Sequence, residues 1–286
     1  MPEGPEIRRA ADRIAKVLVD QPLEQVFFDR QAFPMLARRA SDLTGHRVLR
    51  IDTRGKAMLT RLDNDLTIYS HNQLYGRWYT TRAGKLPNTG RTLRLALHTA
   101  THSALLYSAS EIDLLDADGL AAHPFLARLG PDILDASLHW RALKDRALEA
   151  RFSGRSLAAL YLDQAFLAGV GNYLRSEILF AAGLNPWLRP RDLTRGELGN
   201  LARHTLKIGQ RAYRTGGLTN TPGRIRSLRA ALPEDVAGHR GRAREAVRFA
   251  VFGRDGAPCY DCGELIERVE VSARRLYFCP GCQVEA

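Results

Sequence analysis

The 286-residue sequence predicts an α+β protein: an N-terminal helix, an antiparallel strand-rich first half, a helical second half and a C-terminal hairpin carrying four cysteines. Three observations lead there. Apolar residues fall at helical spacing near the N-terminus, at a spacing of two from about 45 to 115, and at helical spacing again after Gly130-Pro131-Asp132. All the cysteines lie beyond residue 258, in two CxxC pairs. The length suits two domains or one large one, at about 150 residues per domain.

In the first element Ile7, Ala10, Ala11, Ile14, Val17 and Leu18 repeat every three or four residues and so share one stripe of a helix over 7–18, with Pro5 suited to its first turn. In the strand-rich half Leu93, Leu95 and Leu97 alternate with Arg94, Ala96 and His98. Short runs such as Met58–Leu62, Leu66–Tyr69 and Ala104–Tyr107 are separated by turn residues, among them Asp63-Asn64-Asp65 and Pro87-Asn88-Thr89-Gly90. Helices are expected near 156–167, 172–183 and 195–212. Residues 214–248 hold eight arginines, five glycines and only three acids (Glu234, Asp235, Glu245), so a mobile basic loop, or a solvated linker, is expected instead of a packed core. From Val247 onward the chain reads as a hairpin of Leu265–Val271 and Arg275–Phe278, with Ser272-Ala273-Arg274 at the tip.

Lys and Arg number 42 against 31 Asp and Glu, a net charge of +11. A polyanionic partner follows, nucleic acid first; charge alone does not separate DNA from RNA or from an acidic membrane surface. No run approaches the roughly 18 apolar residues of a membrane span, and no membrane residence is expected. MPEGPEIRRA places charges where a secretory signal needs an apolar stretch, which makes the cytoplasm the expected location. No partner helix is apparent, so a monomer is expected.

Cys259, Cys262, Cys279 and Cys282 form CxxC, sixteen intervening residues, then CxxC. Each tight turn directs two thiolates at one ion, and four thiolates close a tetrahedral zinc site with no position open for water. Such a zinc is structural. Two disulfides or a redox pair are the alternatives. In Gly169-Val170-Gly171-Asn172 a helix runs into two glycines and a second starts with Asn172 as its cap; the new helix end suits a phosphate, and a plain helical turn in a bundle is the competing reading. Pro2 follows Met1, and a small second residue permits removal of the methionine. The freed secondary amine is a nucleophile, with the α-amino pKa of about 7.7–8.0 leaving a useful fraction neutral. Glu3 and Glu6 are candidates for acid/base work or ordinary complements of the helix dipole.

Met1-Pro2-Glu3-Gly4-Pro5-Glu6, the Gly169-to-Glu177 turn and the four-cysteine segment occur in the order shown by the bifunctional DNA glycosylase/AP lyases of the formamidopyrimidine-glycosylase and endonuclease VIII family, which the chain resembles over nearly its whole length. Thr53-Arg54-Gly55-Lys56-Ala57 and Tyr69-Ser70-His71-Asn72-Gln73-Leu74-Tyr75-Gly76 are similar to the endonuclease VIII branch, which removes oxidised pyrimidines. The resemblance implies an N-terminal helix plus antiparallel β-sandwich over 1–130, a helix–two-turn–helix domain with the basic loop over 131–246, and a four-cysteine zinc finger over 247–286. Damaged double-stranded DNA would lie in a cleft of this clamp, with no nucleotide cofactor, in a bacterial-type, nucleoid-associated setting. Pro2 would be the Schiff-base nucleophile, Glu3 the proton donor that opens the deoxyribose ring, Lys56 a group for β-elimination and Glu6 an acid of the active-site motif. Arg274 would serve δ-elimination and phosphate binding, while Asn172, Gln73 and Arg128 would contact DNA. Gln73-Leu74-Tyr75 offers a polar group, an apolar wedge and an aromatic plate to fill the gap left by a flipped nucleotide; read alone, these are ordinary hairpin residues, as Lys56 is an ordinary strand lysine. The arginine-rich stretch looks longer than the matching connection in that branch. A purine-selective enzyme of the same family and a noncatalytic zinc-ribbon DNA-binding protein are the alternatives.

Overall fold

The stripe near the N-terminus forms α1, Gly4–Leu18, in the computed structural model, which describes residues 2–284. Met1, on whose removal the free Pro2 amine depends, lies outside the described residues, as do Glu285 and Ala286. The chain divides into two units, residues 1–129 and 130–286.

In the first unit α1 buries Ile7, Ala10, Ala11, Ile14 and Leu18 in the core, each large aliphatic side chain contributing about 1.5–3 kcal/mol. The strands follow: β1 Gln25–Phe28, then after α2 (Pro34–Arg38) β2 Val48–Arg54, β3 Ala57–Leu62, β4 Thr67–His71, β5 Arg77–Arg82, β6 Leu93–His98, β7 His102–Tyr107 and β8 Glu111–Leu115. They pair in two antiparallel four-stranded sheets, ordered β1-β6-β7-β5 and β2-β3-β4-β8. Val26, Phe28, Leu95, Leu97 and Leu106 from the first sheet and Val48, Met58, Ile68 and Ile112 from the second share one cluster with α1, which makes the unit a sandwich. The alternation expected around Leu93–His98 is only partly realised. Ala96 is fully buried and Leu93 half-buried, because Ala96, Leu105 and Tyr107 form a second cluster on the other face. The outer face of β3 and β4 is likewise covered: Ala57, Leu59 and Tyr69 pack against Leu120, Phe125 and Leu126 of α3 (Ala117–Ala122) and α4 (Pro124–Ala127).

The second unit begins with α5 (Trp140–Ala147), α6 (Ala150–Ser153) and α7 (Leu157–Leu160), followed by α8 (Asn172–Ala182) and the 21-residue α9 (Arg195–Thr215). The helix expected over 156–167 stops at Leu160. Beyond it, side chains take over the backbone groups that a helix would use: Asp163 Oδ1 accepts the Ala165 N–H (2.8 Å), and Gln164 accepts from Gly169 N–H (3.1 Å) and donates to the Val170 carbonyl (2.8 Å). Tyr161, Phe166, Leu167 and Val170 still reach the core with Leu174, Ile178, Leu201 and Ile208.

The stretch read as a loop over 214–248 is largely helical: α10 Pro222–Ala230, α11 Glu234–Ala237 and α12 Arg240–Ala246. None of these helices buries a residue, so the lack of core material is real, while Thr221, whose hydroxyl accepts the Arg224 N–H (3.2 Å), and Pro222 start the first of them. The final hairpin consists of β9 (Glu267–Val271) and β10 (Arg274–Phe278). Its tip is Ser272-Ala273, both in left-handed backbone (φ 51° and 56°), the two-residue turn that matches strand twist, and Arg274 therefore opens β10 opposite Val271 instead of sitting at the tip.

Candidate active site and metal centre

Pro2 stands two residues before α1, and Glu3, between them, is the extended residue that caps it (φ −108°, ψ −177°). Glu6 Oε2 accepts the Glu3 N–H at 3.0 Å, so one of the two acids completes the helix start. Glu3 is buried. Pro2, Glu6, Arg13, Asn72, Leu74, Tyr75, Arg77 and Arg91 line an open cavity of about 610 Å3 within the first unit. Partial burial, chiefly, and the neighbouring Arg9 and Arg77 lower the Arg13 pKa, while Asp12 acts the other way.

Leu74 and Tyr75, expected from the sequence to act as a wedge and a plate, lie in a tight loop. Gly76 N–H donates to the Asn72 carbonyl at 2.7 Å, and a Cβ on Gly76 would meet the Asn72 backbone at 2.5–2.6 Å, so only glycine closes this turn. Gln73 takes a left-handed φ of 51°, and Leu74 and Tyr75 are 55% and 68% exposed, unusual for large apolar side chains. Arg91 Nη1 donates to the Tyr75 carbonyl (2.5 Å), and Gln73 Nε2 donates to Glu111 Oε2 (2.5 Å).

Lys56 lies at the turn between β2 and β3, half-buried, beside Gly55 at φ 60°. It is near enough to His71 to help lower that imidazole's pKa; burial is the larger cause, and Glu111 acts the other way. His71 Nδ1 stands 3.4 Å from Glu111 Oε2, long for a hydrogen bond, while Tyr69 donates its hydroxyl to Glu111 Oε1 at 2.9 Å. Burial, chiefly, and the Glu111 carboxylate push the Tyr69 pKa up, which keeps the phenol protonated. Arg128 lies over the Phe125 ring (5.9 Å), and Phe125 in turn lies beside His71 (5.0 Å).

Asn172, Arg274 and the cysteines belong to the second unit. Gly169 adopts φ 95°, and Gly171 is the cap of α8; Asn172 is its first residue, one position later than the expected capping place. Three consecutive α8 side chains then tie this helix to the rest of the unit. Arg175, fully buried, donates to the carbonyls of Ala158 (2.9 Å) and Arg275 (2.9 Å), and Ser176 Oγ accepts the Tyr277 N–H (3.1 Å). Glu177 accepts the N–H groups of Ala250 (2.9 Å), Val251 (2.8 Å) and Phe252 (2.9 Å), and the Thr219 hydroxyl (2.5 Å). Glu177→Ala leaves these buried donors without their acceptor and is expected to cost at least about 3 kcal/mol in chemical denaturation, with Glu177→Gln recovering part of it.

The four cysteine sulfurs all lie within 4.8 Å of one another, with Cys259–Cys282 at 3.8 Å and Cys262–Cys279 at 3.4 Å. Metal–sulfur bonds of about 2.3 Å in a tetrahedron place the sulfurs about 3.8 Å apart, so the donor set fits a single metal ion. The 3.4 and 3.8 Å separations are well beyond the roughly 2.05 Å of a disulfide, so the sulfurs are not joined in pairs. Burial pushes the Cys279 thiol up to about 11, and four thiolates come together at such a site around a cation.

The structure thus gathers Pro2 and Glu6 with Leu74 and Tyr75, and Lys56 with His71. It links the helix of Asn172 to the strand of Arg274 through Arg175. The sequence reading gave no role to Arg175, Glu111 or His71, and quoted Glu177 only as the end of a turn. A signal existed: Arg175 and Glu177 sit among Tyr173, Leu174, Ile178, Leu179 and Phe180, and ions on a helix apolar on all sides are buried ions. No helix among the described residues is long and apolar enough to cross a membrane.

Comparisons with known proteins bear on this arrangement. The family model for the formamidopyrimidine-DNA glycosylase N-terminal domain matches residues 1–110, and that for the formamidopyrimidine-DNA glycosylase H2TH domain matches residues 129–222. Proteins named endonuclease 8 from Shigella sonnei and Escherichia coli are each 47% identical to the chain over 283 residues, covering 99% of it and 100% of their own length. The solved complex between Lactococcus lactis Fpg and DNA containing an abasic site shares the fold, with a TM-score of 0.78 at 20% identity over 99% of this chain and 100% of that one.

Proposed function

Since the chain belongs to the formamidopyrimidine-DNA glycosylase and endonuclease VIII family of bifunctional DNA glycosylase/AP lyases, we propose that it excises oxidised pyrimidines from double-stranded DNA and cuts the strand by β,δ-elimination in base excision repair. The observation that carries this reading is the open cavity shared by Pro2, Glu6, Leu74 and Tyr75, which joins a nucleophile to a wedge.

The Pro2 nitrogen forms a bond to C1′ as the glycosidic bond breaks and the damaged base leaves with the electron pair. The Pro2 nitrogen gives up its proton, which the departing base anion takes up; Glu3 then protonates the ring oxygen, the C1′–O bond breaks, and the nitrogen lone pair makes an iminium. That cation acidifies the C2′ proton; Lys56 takes part in its removal, and the 3′ phosphate leaves. A second elimination, served by Arg274, expels the 5′ phosphate. The nucleotide has to be flipped out first, at an unstacking cost of a few kcal/mol that falls at a damaged pair. Leu74 and Tyr75 fill the gap, Gln73 meets the base edge, and Arg128 and Asn172 hold the backbone. The metal of the four cysteines is zinc, and bound there it supplies structure, holding the hairpin that carries Arg274. In domain terms, 1–130 carries the nucleophile, 131–246 the Asn172 turn, and 247–286 the finger, in a protein acting on the nucleoid in the cytoplasm.

Borohydride reduction on a duplex with an abasic site is expected to trap a covalent adduct that maps to Pro2. Absence of an adduct with folded protein overturns the lyase chemistry. Faster excision of oxidised thymine than of 8-oxoguanine supports the pyrimidine assignment, and the reverse order overturns it while leaving the adduct in place.

A further inference from the structure

Residues 223–246 lie beyond both matched stretches, and their charge is not used by the chemistry above. Between 214 and 248 eight arginines and three acids leave +5, nearly half of the chain's +11 in about an eighth of its length. This charge is mounted on helices. α10 carries Arg224, Arg226 and Arg229 with no acid, and α12 carries Arg240, Arg242 and Arg244 beside Glu245. Arg226 and Arg229 are three residues apart and Arg240 and Arg244 four, spacings at which like charges on a helix repel. Helices with no buried residue and repelling charges gain from an external polyanion.

The segment is also held in place at its base. Arg244 donates to the carbonyls of Thr215 (3.0 Å) and Gly216 (2.5 Å), Arg248 Nε donates to that of Gly217 (3.1 Å), and Arg224 pairs with Asp261 between the first two cysteines. It is thereby fixed to the end of α9 and to the finger, in the unit that carries Asn172 and Arg274. Arg226, Arg229, Arg240 and Arg242 remain exposed.

We infer that residues 222–246 form an additional surface for the DNA backbone, on which Arg226, Arg229, Arg240 and Arg242 neutralise phosphates of the duplex outside the damaged nucleotide. Duplex DNA is favoured over a membrane because α12 has no large apolar residue, while Ile225 and Leu228 of α10 and Val236 of α11 are part-buried, which leaves no exposed apolar face to insert into lipid. The contact carries no base specificity, since guanidinium–phosphate pairing is blind to sequence. The surface adds affinity and residence, not chemistry.

The test is the salt dependence of binding to an undamaged duplex, for the full chain and for the variant Arg226→Gln/Arg229→Gln/Arg240→Gln/Arg242→Gln. Each lost phosphate contact lowers the slope of log K against log salt by about 0.9, so the slope is expected to fall by about 2 to 4 and the affinity by on the order of tenfold to a hundredfold. The corresponding four-lysine variant keeps the charge and is expected to retain the slope. An unchanged slope in the glutamine variant overturns the inference, as does a larger loss for single-stranded RNA or for anionic vesicles than for duplex DNA. The inference rests on DNA as the substrate, and the borohydride adduct at saturating protein separates the two: it should persist in the glutamine variant, while its absence in the parent chain strikes the function itself.

Discussion

Blocking the Pro2 nitrogen, either by a substitution that retains Met1 or by acylation, is expected to lower base excision by on the order of 10^4-fold or more and to abolish the borohydride adduct. The size follows from the chemistry. Among the described residues of the first unit no other amine is placed at the cavity that Pro2 shares with Leu74 and Tyr75, and lysine amines, with pKa near 10.4, are almost wholly protonated at pH 7. Binding should survive. The blocked protein is expected to hold an abasic duplex within a few-fold of its normal affinity, because the proposed DNA contacts at Leu74, Tyr75, Asn172 and Arg274 are untouched. Single-turnover excision and a gel-shift titration on the same preparation check both halves, and normal excision by protein shown by mass to keep Met1 would falsify the amine mechanism.

Removing the metal, or replacing Cys279 by Ser, is expected to produce the second large effect. Cys259 and Cys279 are buried together with Val251, Ile266 and Tyr277, so the metal site and the small core of the finger are one body. Structural zinc contributes on the order of 10 kcal/mol to the folding of such small modules, and without it the hairpin has too little core to persist. Arg274 then loses its position. Affinity for an abasic duplex is expected to fall on the order of a hundredfold or more, which is the scale for losing a placed charge contact. Elemental analysis of the parent protein should give one zinc per chain, and far-ultraviolet dichroism should show that the remaining helices survive chelation. Unchanged binding by metal-free protein would count against a finger that positions Arg274.

Much of this was legible in the sequence because the signals were local. The α1 stripe, the CxxC pairs and the glycines before α8 each follow from spacing, and the structure places an element at each of them. The misreadings have a common cause, which is competition that periodicity does not register. In 161–171 the Asp163 and Gln164 side chains outbid the helix for backbone groups, although the apolar spacing fits a helix. In 214–248 the composition argued correctly against a core, but helix formation needs only tolerable propensity and a good start, and Arg, Ala and Leu supply the first while Thr221-Pro222 supplies the second. The turn at Ser272-Ala273 lacks the Asn or Gly that its left-handed backbone favours, so its place could not be told from residue type. Glu111, which gathers Tyr69, Gln73 and His71, was invisible because its partners come from β4 and the loop after it, 38 to 42 positions away in the chain.

Arg175 carries a consequence for engineering. Its guanidinium spans from the carbonyl of Ala158 to that of Arg275, so the last forty residues are not a cassette that can be grafted onto another scaffold or exchanged between relatives at will. A transplanted C-terminal segment brings its own ion and its own thiols, yet its aim is set by a side chain that stays behind on the host. Chimaeras cut at about residue 247 should therefore work only when the acceptor supplies an arginine at the corresponding turn of its helix.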